Sequence, residues 1–205
     1  MISSLPFLLI TFCVYGYIPE LRNLHGKSLM CYVFSLSSLY ISLSTIQLNG
    51  NTFEMERFPC IFSGYMIYLS VLLCFFWLNV MCYDICLAFR VGINRRRSDL
   101  NRFLVYCLYA LGVPLLLTAI VFIIDLTTFI PEAYRPLMGV ERCYLQKIRV
   151  VEVIYTYIPL TLIVSVNITL YAITAYKINK VLKETSLMIN GDSQRHWKVD
   201  ANKDM

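Results

Sequence analysis

Long uncharged runs alternate with short polar stretches along this chain. Residues 1–19, 28–48, 60–83, 103–124 and 153–176 contain no Asp, Glu, Lys or Arg. At about 1.5 Å of rise per residue, a helical run of some 20 residues crosses a hydrocarbon core of about 30 Å. The pattern therefore predicts an all-α membrane protein with five transmembrane helices. The stretch Cys60–Tyr83 orients the rest: it opens with a cysteine, holds Phe75-Phe76-Trp77-Leu78-Asn79-Val80 near its inner end, and is followed by Asp84, Arg90 and the run Arg95-Arg96-Arg97.

The first run is short for a span, and a cleaved signal peptide is its rival reading. Signal peptides carry cations before the apolar run and small residues at the cut. Here the first cations, Arg22 and Lys27, follow the run, and no small-x-small site precedes them. This order favours a helix with its N-terminus outside. The second run carries Ser35, Ser37, Ser38, Ser42 and Ser44, small residues that let membrane helices approach and hydrogen-bond across the contact. The fourth holds Gly112 and Pro114, and the fifth Pro159 and Asn167. Proline inside a membrane helix kinks it, and neighbouring helices satisfy the carbonyl it frees. Residues 181–205 form a polar tail, expected to be cytosolic and disordered at its end.

The cations fix a topology. With the N-terminus outside, Arg22, Lys27, Arg90, Arg95, Arg96, Arg97 and Arg102, with Lys177, Lys180, Lys183, Arg195, Lys198 and Lys203 after the fifth run, lie inside, thirteen of the 18 Lys and Arg. Arg57, Arg135, Arg142, Lys147 and Arg149 lie outside. This asymmetry fits the positive-inside rule.

Composition agrees. Charged residues make up 15% of the chain and hydrophobic ones 58%, against about 25% charged in soluble domains. The net charge of +5 sits in short loops rather than on one face, which argues against a nucleic-acid partner. Membrane lipids are the expected surroundings, and the triple arginine is a topology anchor, an anionic-lipid contact or a contact for a cytosolic partner. No repeat supports an inverted-repeat transporter.

Candidate chemistry is sparse. His25 and His196 are the only histidines and show no metal spacing; no cofactor is implied, and no HExxH, GxSxG or phosphate-binding loop occurs, so the chain is read as no enzyme. Asp84 and Asp125 fall at opposite membrane surfaces, too far apart to act as an intramembrane pair. Of eight cysteines, Cys13, Cys31, Cys74 and Cys107 lie within spans. Cys82 and Cys86 lie at the inner end of the third, as plain thiols or palmitoylation sites. Only Cys60 and Cys143 lie on the outer, oxidising side, either bridged or as two free thiols. Asn79 and Asn167 are the main polar residues at membrane depth, suited to a helix–helix hydrogen bond or to a switch network. The sequon Asn167-Ile168-Thr169 is buried in the fifth span, out of reach of glycosylation.

Several stretches together resemble the Methuselah-like receptors of insects, a branch of the secretin-like (family B) G-protein-coupled receptors. They are Pro19-Glu20-Leu21-Arg22-Asn23-Leu24-His25-Gly26-Lys27; Phe76-Trp77-Leu78-Asn79-Val80-Met81; Arg102-Phe103-Leu104-Val105-Tyr106-Cys107-Leu108-Tyr109-Ala110 with Pro114-Leu115-Leu116-Leu117-Thr118; Arg135-Pro136 and Cys143; and Ile154-Tyr155, Pro159 and Asn167-Ile168-Thr169. The resemblance covers about residues 5–180, in the family's order. It implies a seven-helix bundle at the plasma membrane, with an extracellular ligand, plausibly a peptide, and a heterotrimeric G protein inside. By this resemblance Cys60 and Cys143 match the family's outer disulfide. Arg22 and His25 match its polar inner-loop positions, Asn79 and Asn167 its polar span positions. With Arg90, Arg95, Arg96 and Arg97, Arg22 and His25 are the expected inner-face contacts for the G protein.

The chain also departs from that pattern. Leu111 stands where a tryptophan is expected before Gly112, Tyr144 where one often follows the cysteine, and Met81 where many secretin-like receptors carry glutamate. The ectodomain and the sixth and seventh helices are not in these 205 residues. The expectation is therefore an incomplete seven-helix bundle with impaired signalling. The alternative is a non-signalling membrane protein that pairs with full-length receptors in an oligomer.

Overall fold

A computed structural model describes residues 2–48, 57–91, 99–127, 129–140, 143–145 and 149–201. Its helices are α1 (Leu5–Tyr17), α2 (Leu24–Leu48), α3 (Arg57–Val91), α4 (Asp99–Leu126), α5 (Arg149–Glu152) and α6 (Ile158–Ala201). A π-helical turn, Val153–Tyr157, joins the last two into one continuous rod. No strand occurs among the described residues. Four segments are long and apolar enough to cross a membrane: Leu24–Leu48, Phe58–Ala88, Leu100–Leu126 and Arg149–Lys183. They match the second to fifth expected spans. The first is a helix of 13 residues, about 20 Å long at the usual rise and shorter than the hydrocarbon core.

Local chemistry sets the helix ends. Asn23 caps α2: its Oδ1 accepts the Gly26 N–H at 2.7 Å, satisfying one of the free donors of the first turn. Gly26 is required there, because a Cβ would run into the Leu21 carbonyl oxygen. Pro59 sits in the first turn of α3, where its missing N–H removes no helical bond. Pro159 follows the π turn. It cannot donate to the Tyr155 carbonyl four residues back, and that carbonyl instead accepts the Tyr68 hydroxyl of α3 at 3.1 Å.

α3 is the central helix. It packs against α2, α4 and α6. Half of its most apolar window is buried, against 17% for α2 and α4 and 11% for the last span. Cross-helix bonds fix the register. Tyr68–Tyr155, Asn79–Asn167 and Lys177–Cys86 join α3 to the last span at sequence separations of 87, 88 and 91, so the two rods run parallel. Tyr65–Asp125, Asn79–Tyr109 and Asp84–Tyr106 pair in opposite order, so α4 runs antiparallel to α3.

Two cores result. One surrounds Trp77, with Leu24, Phe76, Val80, Tyr106, Ala110 and Ile163. The other lies at the Cys60 end, where Met138 and Leu145 of the connecting loop close over Tyr68, Leu72 and Val121. The serines of α2 behave differently from the sequence expectation. Ser35 and Ser37 donate to carbonyls of their own helix, at Cys31 and Val33. Only Ser38 is joined across the contact, accepting from Ser70 at 3.2 Å among the described residues. Their contribution is mainly small size, since Ser28, Ser35 and Ser70 are almost fully buried.

α6 continues through the polar residues that follow the last apolar run, as far as Ala201. Extending an existing helix adds one hydrogen bond per residue fixed and needs no new nucleus, which offsets the polar sequence.

Gly64 faces the loop so closely that a Cβ would meet the Cys143 carbonyl oxygen. Gly64→Val should therefore push the loop off α3 and destabilise the protein by about 1–3 kcal/mol. Thermal unfolding of detergent-solubilised protein with the disulfide intact would measure the loss. An unchanged midpoint would show that the loop does not sit on α3.

Candidate functional site

The chemistry-bearing residues fall in three layers along α3. At the Cys60 end, Cys60 and Cys143 form a disulfide across 83 residues. Closing a loop of that length removes about 4–5 kcal/mol of chain entropy from a free unfolded chain. The saving is smaller when membrane insertion already confines the helices. The loop is also tied by Asp125, at the end of α4. Its carboxylate accepts the Tyr65 hydroxyl at 3.0 Å and the Leu137 N–H at 2.8 Å, and its carbonyl accepts Arg135 Nη2 at 2.6 Å. Leu137 has φ of 45°, a left-handed conformation that costs a non-glycine residue about 1–2 kcal/mol. The charge-assisted bond from Asp125 offsets that cost. Gly139, at φ of 80°, packs onto Ile61 of α3, where a Cβ would collide. Tyr144 shares a 3.4 Å hydrogen bond with Thr156. Burial raises its phenol above the ordinary range, the Thr156 bond works against this, and the Glu152 carboxylate adds to it. The phenol therefore stays protonated at neutral pH.

In the middle layer, Asn79 Nδ2 donates to Asn167 Oδ1 at 3.1 Å, joining α3 to α6. Asn167 Nδ2 donates to the Phe75 carbonyl at 3.2 Å. The Tyr109 hydroxyl of α4 donates to Asn79 Oδ1 at 3.3 Å. Three helices thus meet through one set of polar groups, 6% exposed at Asn79. The two asparagines singled out by depth alone are partners. Sequence reasoning did not single out Tyr109. Its signal was available: Tyr106 and Tyr109 stand three apart on one face of α4, and each donates to a polar residue of α3.

At the far end, the Tyr106 hydroxyl donates to Asp84 Oδ1 at 3.1 Å, and Tyr83 packs edge-on against Tyr106. Asp84 is 5% exposed. Lys177 Nζ donates to Cys86 Sγ at 3.4 Å. Arg22 is exposed beside the turn that starts α2, and His25 is partly buried with its Nδ1 unpartnered among the described residues. Arg90 belongs to α3. Arg95, Arg96 and Arg97 lie outside the described residues. The structure thus brings Cys60 to Cys143 and Asn79 to Asn167. It places Arg22 and His25 at the end that carries Asp84, without joining them in one cluster. No group of three His, Cys, Asp or Glu side chains could hold a metal among the described residues.

The arrangement tethers a loop at one end, links three helices in the middle and sets ionisable groups at the other end. Comparison with known proteins gives this arrangement a context. A family model described as "7 transmembrane receptor (Secretin family)" matches residues 1–200. "Probable G-protein coupled receptor Mth-like 10" of Drosophila melanogaster is 36% identical over 196 residues, covering 94% of this chain and 33% of that protein. "G-protein coupled receptor Mth2" of Drosophila yakuba is 35% identical over 196 residues, covering 94% and 36% respectively. "Probable G-protein coupled receptor Mth-like 4" of Drosophila melanogaster is 32% identical, covering 93% and 36%. The chain spans about a third of the length of these relatives.

The asparagine link predicts a specific energetic coupling. Asn79→Leu leaves Asn167 and Tyr109 each short of a partner, and Asn167→Leu leaves Asn79 short of one. Each should cost about 1 kcal/mol, within the range of interhelical polar bonds. The double variant should cost less than the two together, with a coupling of about 0.5–1.5 kcal/mol. Denaturant titration of the four proteins in mixed micelles measures this. Strict additivity would show that the two side chains do not interact.

Proposed function

This chain belongs to the secretin family of seven-transmembrane receptors, and on that premise we propose that it forms the first five helices of a Methuselah-like G-protein-coupled receptor core. It is a multi-pass membrane protein by family and by its apolar helices. In this reading the Cys60 end faces out at the plasma membrane and receives an extracellular peptide ligand. The Asp84 end faces in and meets a heterotrimeric G protein through Arg22, His25, Arg90 and the run Arg95-Arg96-Arg97. It signals as a receptor and catalyses no reaction.

The observation that carries this reading is the Asn79–Asn167–Tyr109 link. A signal crossing a bilayer needs a rigid element that both faces can bias. Here α3 runs from the disulfide to Asp84, and the polar contact at Asn79 holds both α4 and α6 to it. The tethered loop supports the same reading, because it fixes the Cys60 end of α3 relative to α4 and α6. The family counts seven transmembrane helices, so the reading requires two more beside these five.

The test supplies those two. The chain, tagged at its C-terminus, is expressed in insect cells alone or with a fragment carrying the last two helices of the Mth2 receptor. Proximity to Gβγ is read by resonance energy transfer in permeabilised cells. The co-expressed pair should associate with a G protein when nucleotide is depleted and dissociate on addition of GTPγS. Two surface-delivered fragments with no GTPγS-sensitive association would refute coupling. Association by the chain alone would show that five helices suffice.

A further inference from the structure

A groove of about 590 Å³ runs between α2, α3 and α4 on the Lys27 side, with Phe12 of α1 at its edge. Met30, Phe34, Leu73, Trp77, Phe103 and Leu111 are among its walls. On α2 its residues Lys27, Met30 and Phe34 recur at helical spacing, so they share one face. From Leu100 to Leu111 the α4 wall is about 16 Å long, close to the depth of one leaflet of a bilayer. Phe34 and Leu111 are 67% and 40% exposed, so the groove opens sideways toward the acyl chains.

Among the described residues, Lys27 is the one charged residue in its lining. Lys27 Nζ lies 5.6 Å over the Phe103 ring, near the start of α2 where the membrane surface falls. Trp77 is 1% exposed, and its Nε1 has no hydrogen-bond acceptor among the described residues. Phe103 stacks on Trp77 with ring centroids 6.5 Å apart, so the cation and the indole belong to one wall.

We propose that this groove binds an anionic glycerophospholipid. The phosphate meets the Lys27 ammonium at the surface, where basic groups between transmembrane helices attract acidic headgroups. One acyl chain lies along Met30, Phe34 and Leu73. A neutral sterol would fill the apolar walls but leave the cation unused. The proposal needs neither a G protein nor a ligand, and it stands apart from the receptor reading.

The chain has two tryptophans, Trp77 and Trp197, so Trp197→Phe leaves Trp77 as a single fluorescent reporter. This protein is reconstituted in phosphatidylcholine bilayers with a minor fraction of acyl-brominated phosphatidylserine, or with the same fraction of acyl-brominated phosphatidylcholine. Brominated phosphatidylserine should quench Trp77 with about fivefold higher apparent affinity, the preference that one cation gives at an anionic surface. Lys27→Gln should abolish the preference and leave quenching by phosphatidylcholine unchanged. Equal quenching by the two lipids, or a preference that survives Lys27→Gln, overturns the proposal. So does headgroup-independent quenching by brominated cholesterol that displaces both lipids, which would make the groove a sterol site.

Discussion

A polar group in the middle of a bilayer has no water to turn to, and the packing of this protein follows from that constraint. Asn79 sits deep in α3 and is nearly buried. Its carbonyl oxygen and its amide need partners from other helices. Asn167 of α6 and Tyr109 of α4 supply them. Shifting either helix by one turn would break the set and strand several polar atoms in hydrocarbon. The apolar surfaces impose no comparable penalty, because lipid tails are as good a solvent for leucine as another helix is. Small residues such as Ser28 and Ser70 allow close approach, while the polar groups choose the register.

The two ends of α3 are finished differently. At the Cys60 end, a covalent bond, the Asp125 contacts and the strained turn at Leu137 hold the loop down. Pro159 adds to this. By freeing the Tyr155 carbonyl it creates an acceptor for Tyr68, so a residue that weakens its own helix strengthens the contact between helices. At the Asp84 end, a tyrosine–carboxylate bond and a lysine–thiol contact are among the links between the helices.

Much of this was legible in the residues. The uncharged runs predicted the spans from Ser28 onward, since the length of a bilayer crossing is set by the solvent rather than by packing. Cys60 and Cys143 could be paired by side of the membrane and by resemblance, and the asparagines stood out by depth. What remained hidden was which faces meet. In a soluble helix the polar face marks solvent, but both faces of a membrane helix are apolar, so periodicity does not separate lipid from protein. Tyr109, Tyr106 and Tyr68 therefore passed as ordinary apolar-run residues, although each donates a cross-helix bond. Asp125 looked like the first residue of a loop, and its role emerged only with the fold that brings Leu137 and Tyr65 to it. The serines erred in the other direction: their hydroxyls can turn back on their own helix, which composition does not reveal.

The central claim is the register of α3 against α6, fixed by Asn79 and Asn167. It can be measured directly by cross-linking in membranes. The six free cysteines are replaced, and Asn79→Cys is combined in turn with Ile163→Cys, Asn167→Cys or Tyr171→Cys, one helical turn apart. Under a mild oxidant, the account predicts a bond between positions 79 and 167 and far less at the two flanking positions. Preferential cross-linking of 79 to 163 or to 171, or equal yields at all three, would contradict it.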